Sequence, residues 1–248
     1  MTPPLLLHLP YSPWSERARW ALDARAVAHK RRTYQPLLGE PELRVRLRRW
    51  TGPVSVPVLL TDDKAIADSD EIARWADQRG SGSTLFPDEH AAAIDHWIRR
   101  SQEGLAAGRA VSLIRVLASP EACVELTPPW MRKLGPVARA VGRSGVARTR
   151  KKYSGDARAD AEHQKTLEGV LDELRTALGP SPTTLLGTFT YADICAAQVL
   201  CFVKLPDRKY LRLGKASAEA VGDPELATRY RDVVEWRDAL YAKYRERS

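Results

Sequence analysis

No run of about 18 consecutive uncharged apolar residues occurs in the 248-residue sequence, so no membrane-spanning helix and no integral membrane association are expected. The opening stretch, MTPPLLLHLPYSPW, is too short in its apolar part and lacks a basic start, which argues against a secretory signal and makes the cytoplasm the expected compartment. Cysteine is scarce. The three thiols, Cys123, Cys195 and Cys201, are odd in number and form no C-x-x-C pair, which argues against a disulfide framework and a structural zinc site and leaves buried thiols as the expectation. The five histidines (His8, His29, His90, His96 and His163) show no metal-ligand spacing, and no metal is expected. A composition of 44% apolar and 28% charged residues excludes disorder as the main state, and the length suffices for two compact domains.

Acidic residues are absent between Thr127 and Gly155, where Arg132, Lys133, Arg139, Arg143, Arg148, Arg150, Lys151 and Lys152 stand together. These eight cations equal the whole chain's net charge of +8, so the remainder is balanced. Such a segment can attract phosphates, an anionic membrane surface or small anions. No aromatic interleaving or nucleic-acid module accompanies it, so a solvated basic helix or loop is expected and nucleic-acid binding is not.

Residues 1–80 alternate strand-like and helix-like patterns. Leu5 to Leu9 is a short apolar run, and Pro13 to Arg25 places Ala18, Ala21 and Leu22 at helical spacing. After a polar, basic stretch, Val54 to Leu60, the turn Thr61-Asp62-Asp63-Lys64 and Ala65-Ile66-Ala67 predict a hairpin, followed by a helix over about Ser69 to Gln78. The glycine- and serine-rich residues 79–84 mark a boundary, with a linker over 81–88, because they have little to bury and much entropy to lose. Over 89–248 the strand signal nearly vanishes. His90 to Ala107, Ala161 to Leu178, Ile194 to Val203 and Pro224 to Tyr244 carry apolar residues near a period of 3.6, which predicts an all-helical second domain containing the basic segment 127–155.

Three local signals in the first domain bear on chemistry. In Tyr11-Ser12-Pro13-Trp14-Ser15, a serine before a proline starts a helix: the Ser12 oxygen accepts a free amide, and Pro13 has no N–H to leave unpaired. A helix N-terminus favours an anion placed before it. In Ser55-Val56-Pro57-Val58-Leu59, a proline within a strand pattern implies an edge, a start or a bend, and a cis bond there would free the Val56 backbone for an extended ligand. Finally, Ile66-Ala67-Asp68-Ser69-Asp70-Glu71-Ile72 opens a helix with Ser69 as the expected N-cap. Each signal taken alone also fits a plain capped helix or an ordinary turn.

Their order, strand then Ser-Pro-aromatic-Ser, a Val-Pro-Val-Leu strand about forty residues later, and an acidic-Ser pair opening a helix, resembles the thioredoxin-like half of the cytosolic glutathione transferases. In the second half, Gly187-Thr188-Phe189-Thr190-Tyr191-Ala192-Asp193-Ile194 is similar to that family's buried helix start, with Thr190 capping, Asp193 reaching back to the Thr190 amide and Phe189 packing on Ile194. The resemblance implies an α/β thioredoxin-like domain followed by an all-α helical bundle, glutathione as co-substrate, a small electrophilic substrate, a detoxifying transferase activity and a homodimer.

Carried onto this sequence, it implies that Ser12 lies beside the glutathione sulfur and donates a hydrogen bond to the thiolate, with Tyr11 and Ser15 as alternatives. Val56, before a cis Pro57, would pair with the cysteinyl backbone, Ser69 would hold the γ-glutamyl carboxylate, and Asp68 its ammonium. Asp68 departs from the usual Glu or Gln. The lysine or histidine that often precedes the Val-Pro strand is missing, with Arg48 and Arg49 as possible replacements. Serine at both ends of the 12–15 motif excludes dithiol chemistry there. Trp14 and Trp130 are candidates for the electrophile pocket. The alternative is a non-catalytic binding or scaffolding protein of the same fold that uses the basic 127–155 segment.

Overall fold

Successive leucines of the first strand face opposite sides of a sheet, and the N-terminal domain is built on that alternation. In a computed structural model, which describes residues 2–35, 39–153, 157–180 and 183–245, β1 (Leu5–His8) is central in a sheet ordered β2-β1-β3-β4, with β2 at Lys30–Thr33, β3 at Val58–Leu60 and β4 at Ala65–Ala67. β2 is parallel to β1, whereas β3 is antiparallel to both β1 and β4, with Leu6 opposite Leu59 and Leu59 opposite Ile66. On one face Leu6, Leu59 and Ile66 pack with Ala18 and Leu22 of α1 (Pro13–Ala24) and Ile72 and Ala76 of α3 (Ser69–Arg79). On the other, Leu7 and Val58 meet Val54 and Leu43, the latter from α2 (Glu40–Leu47). Edge strand β2 is exposed throughout and carries Lys30, Arg31 and Arg32, charges that discourage pairing with another sheet.

The second domain is helical: α4 (Ala91–Ala118), α5 (Pro120–Glu125), α6 (Pro136–Tyr153), α7 (Ala157–Leu178), α8 (Tyr191–Val199), α9 (Lys215–Val221), α10 (Pro224–Arg229) and α11 (Arg231–Leu240). Every residue of α8 is buried, Asp193 and Gln198 included, so this helix forms the centre of the bundle. α4 packs beside it at a close approach that glycine permits: a Cβ at Gly104 would stand 2.9 Å from Val199. The main core runs without interruption from Trp20 and Ala21 of α1 into Ile194, Ala197 and Trp236, so the two domains share apolar contact. No helix among the described residues is long and apolar enough to cross a membrane.

Several boundaries differ from those the sequence predicts. The Val54 to Leu60 strand contracts to Val58–Leu60, because Pro57 offers no N–H to a ladder. The helix expected to end at Ala107 continues to Ala118, the one expected from Ile194 starts at Tyr191, and the C-terminal helix is interrupted at Tyr230. The N-cap of α3 is Asp68, at φ +81°, and Ser69 is the first helical residue, a one-residue correction of the expected cap. The loop after α3 is tied down. Arg25 donates to the Gly82 and Ser83 carbonyls and pairs with Asp77, and Asp77 also accepts the Leu85 amide.

Candidate active site

The loop between β1 and α1 is held from both sides. Ser12 has extended geometry at the N-cap of α1, its Oγ accepts the Ser15 amide at 3.4 Å, and Pro13 follows as the first helical residue. The Ser12 amide donates back to the Leu9 carbonyl at 3.2 Å, and the Arg212 amide donates to the Pro10 carbonyl at 3.2 Å. Arg19 reaches the Leu9 carbonyl at 3.3 Å and the Tyr210 carbonyl at 3.0 Å. Fully buried Ser15 spends its oxygen on the Leu9 amide at 3.1 Å, so its place is inside the loop's own scaffold. Tyr11 is half-buried, and burial pushes its phenol above the ordinary value, keeping it a protonated donor at neutral pH.

The Val56–Pro57 peptide is cis. Among the described residues the backbone N–H and carbonyl of Val56 have no hydrogen-bond partner, since pairing of β3 with β1 begins at Val58. At the start of α3 the buried Ser69 hydroxyl lies 3.5 Å from Asp68 Oδ1 and 3.4 Å from Asp70 Oδ1. Asp70 accepts the Tyr191 phenol at 2.9 Å and has Arg17 Nη1 at 3.8 Å, while burial pushes its carboxyl upward against the pull of Arg17. Fully buried Arg17 also donates to Ser101 Oγ at 2.6 Å, which ties α1 to α4 below the site.

The helical domain supplies the other wall. The Trp14 indole donates to Gln102 of α4 at 2.8 Å, and the Arg109 guanidinium lies 4.6 Å from the Trp14 ring centre and 3.9 Å from that of Tyr153, the last residue of α6. Its neighbour Lys152 donates to the Val54 carbonyl at 3.4 Å. The C-terminal end of α6, the final part of the basic segment, is thereby placed between Trp14 and the loop before Pro57. Trp14 thus stands at the domain cleft, whereas Trp130 is 67% exposed. Arg48 closes α2 at φ +50° and Arg49 is exposed beside it. Arg109, Tyr153 and Gln102 are additions to the sequence-based set; the signal available for Arg109 was a single arginine in an otherwise small and apolar stretch, Gly104 to Leu113, broken only by Ser112.

All three cysteines are buried, and burial pushes the thiols of Cys195 and Cys201 up to about 12. At neutral pH both are held as thiols rather than thiolates.

A serine-capped helix start, a cis-proline loop and an acidic-serine helix start, joined to a helical bundle, define a thioredoxin-like domain fused to an all-α domain. Residues 11–79 match the family model for the glutathione S-transferase N-terminal domain. The chain as a whole has the two-domain fold of the glutathione S-transferases. Among solved structures, it is similar to a glutathione S-transferase domain-containing protein of Marinobacter aquaeolei VT8 (TM-score 0.61, 19% identity, 96% of this chain and 98% of that one). It is also similar to a glutathione S-transferase of Methylobacterium radiotolerans JCM 2831 in complex with glutathione sulfonate (TM-score 0.59, 19% identity, 98% and 95%). A glutathione S-transferase of Methylobacillus flagellatus KT with glutathione bound gives a TM-score of 0.56 at 17% identity, covering 95% of this chain and 98% of that one. No curated protein sequence matches the chain.

Proposed function

We propose that the protein is a glutathione transferase that adds the thiolate of bound glutathione to an electrophilic carbon. The observation that carries this reading is the Ser12 hydroxyl. Its oxygen accepts the Ser15 amide, so its own proton remains to be donated to a sulfur lying before α1. That donation, with the positive end of the helix, favours the thiolate over the thiol and lowers the sulfur's pKa. Proximity of sulfur and electrophile in one cleft then contributes to rate.

The unpaired backbone of Val56 would align the cysteinyl unit, and the α3 start would receive the γ-glutamyl end, its carboxylate at Ser69 and its ammonium beside Asp68. Lys152 brings a cation to the Val54 carbonyl and would hold the glycyl carboxylate, the role for which the sequence offered Arg48 and Arg49. Trp14 forms a wall of the electrophile pocket, and Tyr11 remains the alternative donor. The test is retention on immobilised glutathione together with conjugation of 1-chloro-2,4-dinitrobenzene. Wild type is retained and active, and Ser12→Ala loses roughly 10- to 100-fold in kcat/KM, the value of one charge-assisted hydrogen bond in the transition state. Absence of both retention and activity in wild type overturns the enzyme reading.

A second reading, a binding protein of this fold, is favoured by the exposed cations Arg139, Arg143 and Arg148 on α6. The same assay separates the two. A two-fold dimer belongs to the proposal as well, and sedimentation velocity tests it.

A further inference from the structure

Arg109 is a cation without an anion. Its Nε is buried and has no hydrogen-bond partner, and no carboxylate among the described residues pairs with its guanidinium. What surrounds it is the Trp14 indole on one side and the Tyr153 ring on the other. Two aromatic faces stabilise a guanidinium through its charge, but they leave its buried Nε without an acceptor. A half-buried charge in that condition is costly unless something anionic completes it. Burial accordingly pushes its pKa below the ordinary arginine value.

Location specifies what completes it. Trp14 is two residues beyond Ser12 in the first turn of α1, and Tyr153 adjoins Lys152, whose ammonium rests on the Val54 carbonyl two residues before Val56. Arg109 therefore lies on the α4 side of the cleft bounded by the two loops assigned to glutathione, on the side where the second substrate must enter. We propose that Arg109, between Trp14 and Tyr153, is an anion subsite that selects electrophiles bearing a carboxylate or a similar planar oxyanion.

This deepens the transferase reading and rests on it. In the reaction with an aryl halide, the sulfur lone pair forms the C–S bond at the carbon bearing the halogen. The carbon–halogen bond then breaks and halide leaves with the bonding pair, so no oxidant or reductant is required. Arg109 contacts the remote carboxylate and orients the ring without touching the reacting carbon.

Two probes isolate the charge. 4-Chloro-3-nitrobenzoate and 1-chloro-2,4-dinitrobenzene are alike in shape, since a carboxylate and a nitro group are both planar with two oxygens, but only the first carries a negative charge. Binding of each to the full-length protein is measured by calorimetry with S-methylglutathione present, which has no free thiol and permits no turnover. Wild type is expected to bind the carboxylate about 10-fold more tightly than the nitro compound, a difference of about 1.4 kcal/mol. In Arg109→Gln the preference falls to within about 2-fold while affinity for the nitro compound is preserved, and Arg109→Lys retains part of it because it keeps charge but not the fork. A wild-type ratio near one, or a preference that survives in Arg109→Gln, overturns the proposal. So does a glutathione KM that rises in Arg109→Gln with the ratio unchanged, which would assign this cation to glutathione itself. Equal binding of both probes, with conjugation of 1-chloro-2,4-dinitrobenzene intact, would sink the anion subsite and leave the transferase reading standing. Carboxylate preference without binding of S-methylglutathione or any conjugation would do the reverse.

Discussion

The Tyr191 phenol donates to Asp70 Oδ1 across 2.9 Å, joining the first turn of α8 in the helical bundle to the first turn of α3 beside the candidate glutathione site. Tyr191 is fully buried, and its ring packs tilted against Phe86 at 5.0 Å. Asp70 in turn lies 3.8 Å from the buried Arg17 and 3.4 Å from the Ser69 hydroxyl, so the phenol is one corner of a polar network at the domain boundary.

Removing that phenol tests the network without disturbing the ring. Tyr191→Phe is expected to lower stability by about 2 kcal/mol, since a hydrogen bond to a charged, half-buried acceptor is lost. For a chain of this length that corresponds to a fall in Tm of roughly 4–8 °C. Differential scanning calorimetry checks it, and an unchanged Tm would show that Arg17 and Ser69 satisfy Asp70 unaided.

Asp193 supports the same helix start from within. Its carboxylate accepts the Leu185 amide at 2.7 Å, the Thr190 amide at 2.8 Å and the Thr190 hydroxyl at 3.2 Å. Burial pushes its pKa up to about 6, although each of these bonds pulls it back down. Asp193→Ala leaves buried donors unpaired and is expected to cost about 3 kcal/mol, with Asp193→Asn between it and wild type because one acceptor oxygen remains. Denaturant titration at neutral pH reads the order directly.

The Thr190–Asp193 reciprocal cap was legible in the sequence because all its partners lie within four residues. Ser12–Pro13 was legible for the same reason. Phe189, expected to pack on Ile194, packs against the main core that contains Ile194, and its ring stacks on Tyr244 at 4.2 Å, a contact made by chain folding. The α3 cap shifted by one residue because the left-handed backbone of Asp68, where glycine is the easier residue, leaves no clear signature in a non-glycine sequence. β2 has no apolar alternation to read. Lys30-Arg31-Arg32-Thr33 is a strand because it pairs with β1, and tertiary context overrode local pattern. Arg109 was illegible for a related reason: its meaning depends on the end of α6 arriving opposite Trp14.

His8 gives the protein a defined acid sensitivity. It is buried at the end of β1, and its Nδ1 accepts from Arg19 Nη1 at 2.8 Å, which fixes the neutral ring with the proton on Nε2. Burial first, and then the charges of Arg19 and Arg31, lower its pKa to about 4. In the unfolded chain a histidine titrates near 6.5. Between about pH 6.5 and pH 4 the unfolded state therefore binds the proton that the folded state refuses, and this group's contribution to stability is lost as the pH falls through that window. Asp193 acts with the opposite sign, since its folded-state pKa is raised and it takes up a proton on the folded side first. His8→Asn, which keeps an acceptor but cannot protonate, is expected to flatten the decline in stability from pH 6.5 to 4 relative to wild type. Parallel curves for the two proteins would remove His8 as the origin of the acid sensitivity.

Lys152 separates the roles of the two cations at the cleft. It is exposed on α6, and its ammonium rests at 3.4 Å from the Val54 carbonyl, next to the backbone assigned to the cysteinyl unit. Lys152→Met keeps the apolar stem and removes the charge. An exposed ion pair of this type contributes about 1 kcal/mol, so the KM for glutathione is expected to rise by roughly 5-fold, with kcat within about 2-fold because the sulfur and Ser12 are untouched. Raising the salt concentration screens the same interaction and should reproduce most of the effect in wild type while leaving the variant nearly unaffected. A fall in kcat at constant KM would instead show that the end of α6 orients the sulfur, and the glycyl carboxylate would then need another partner.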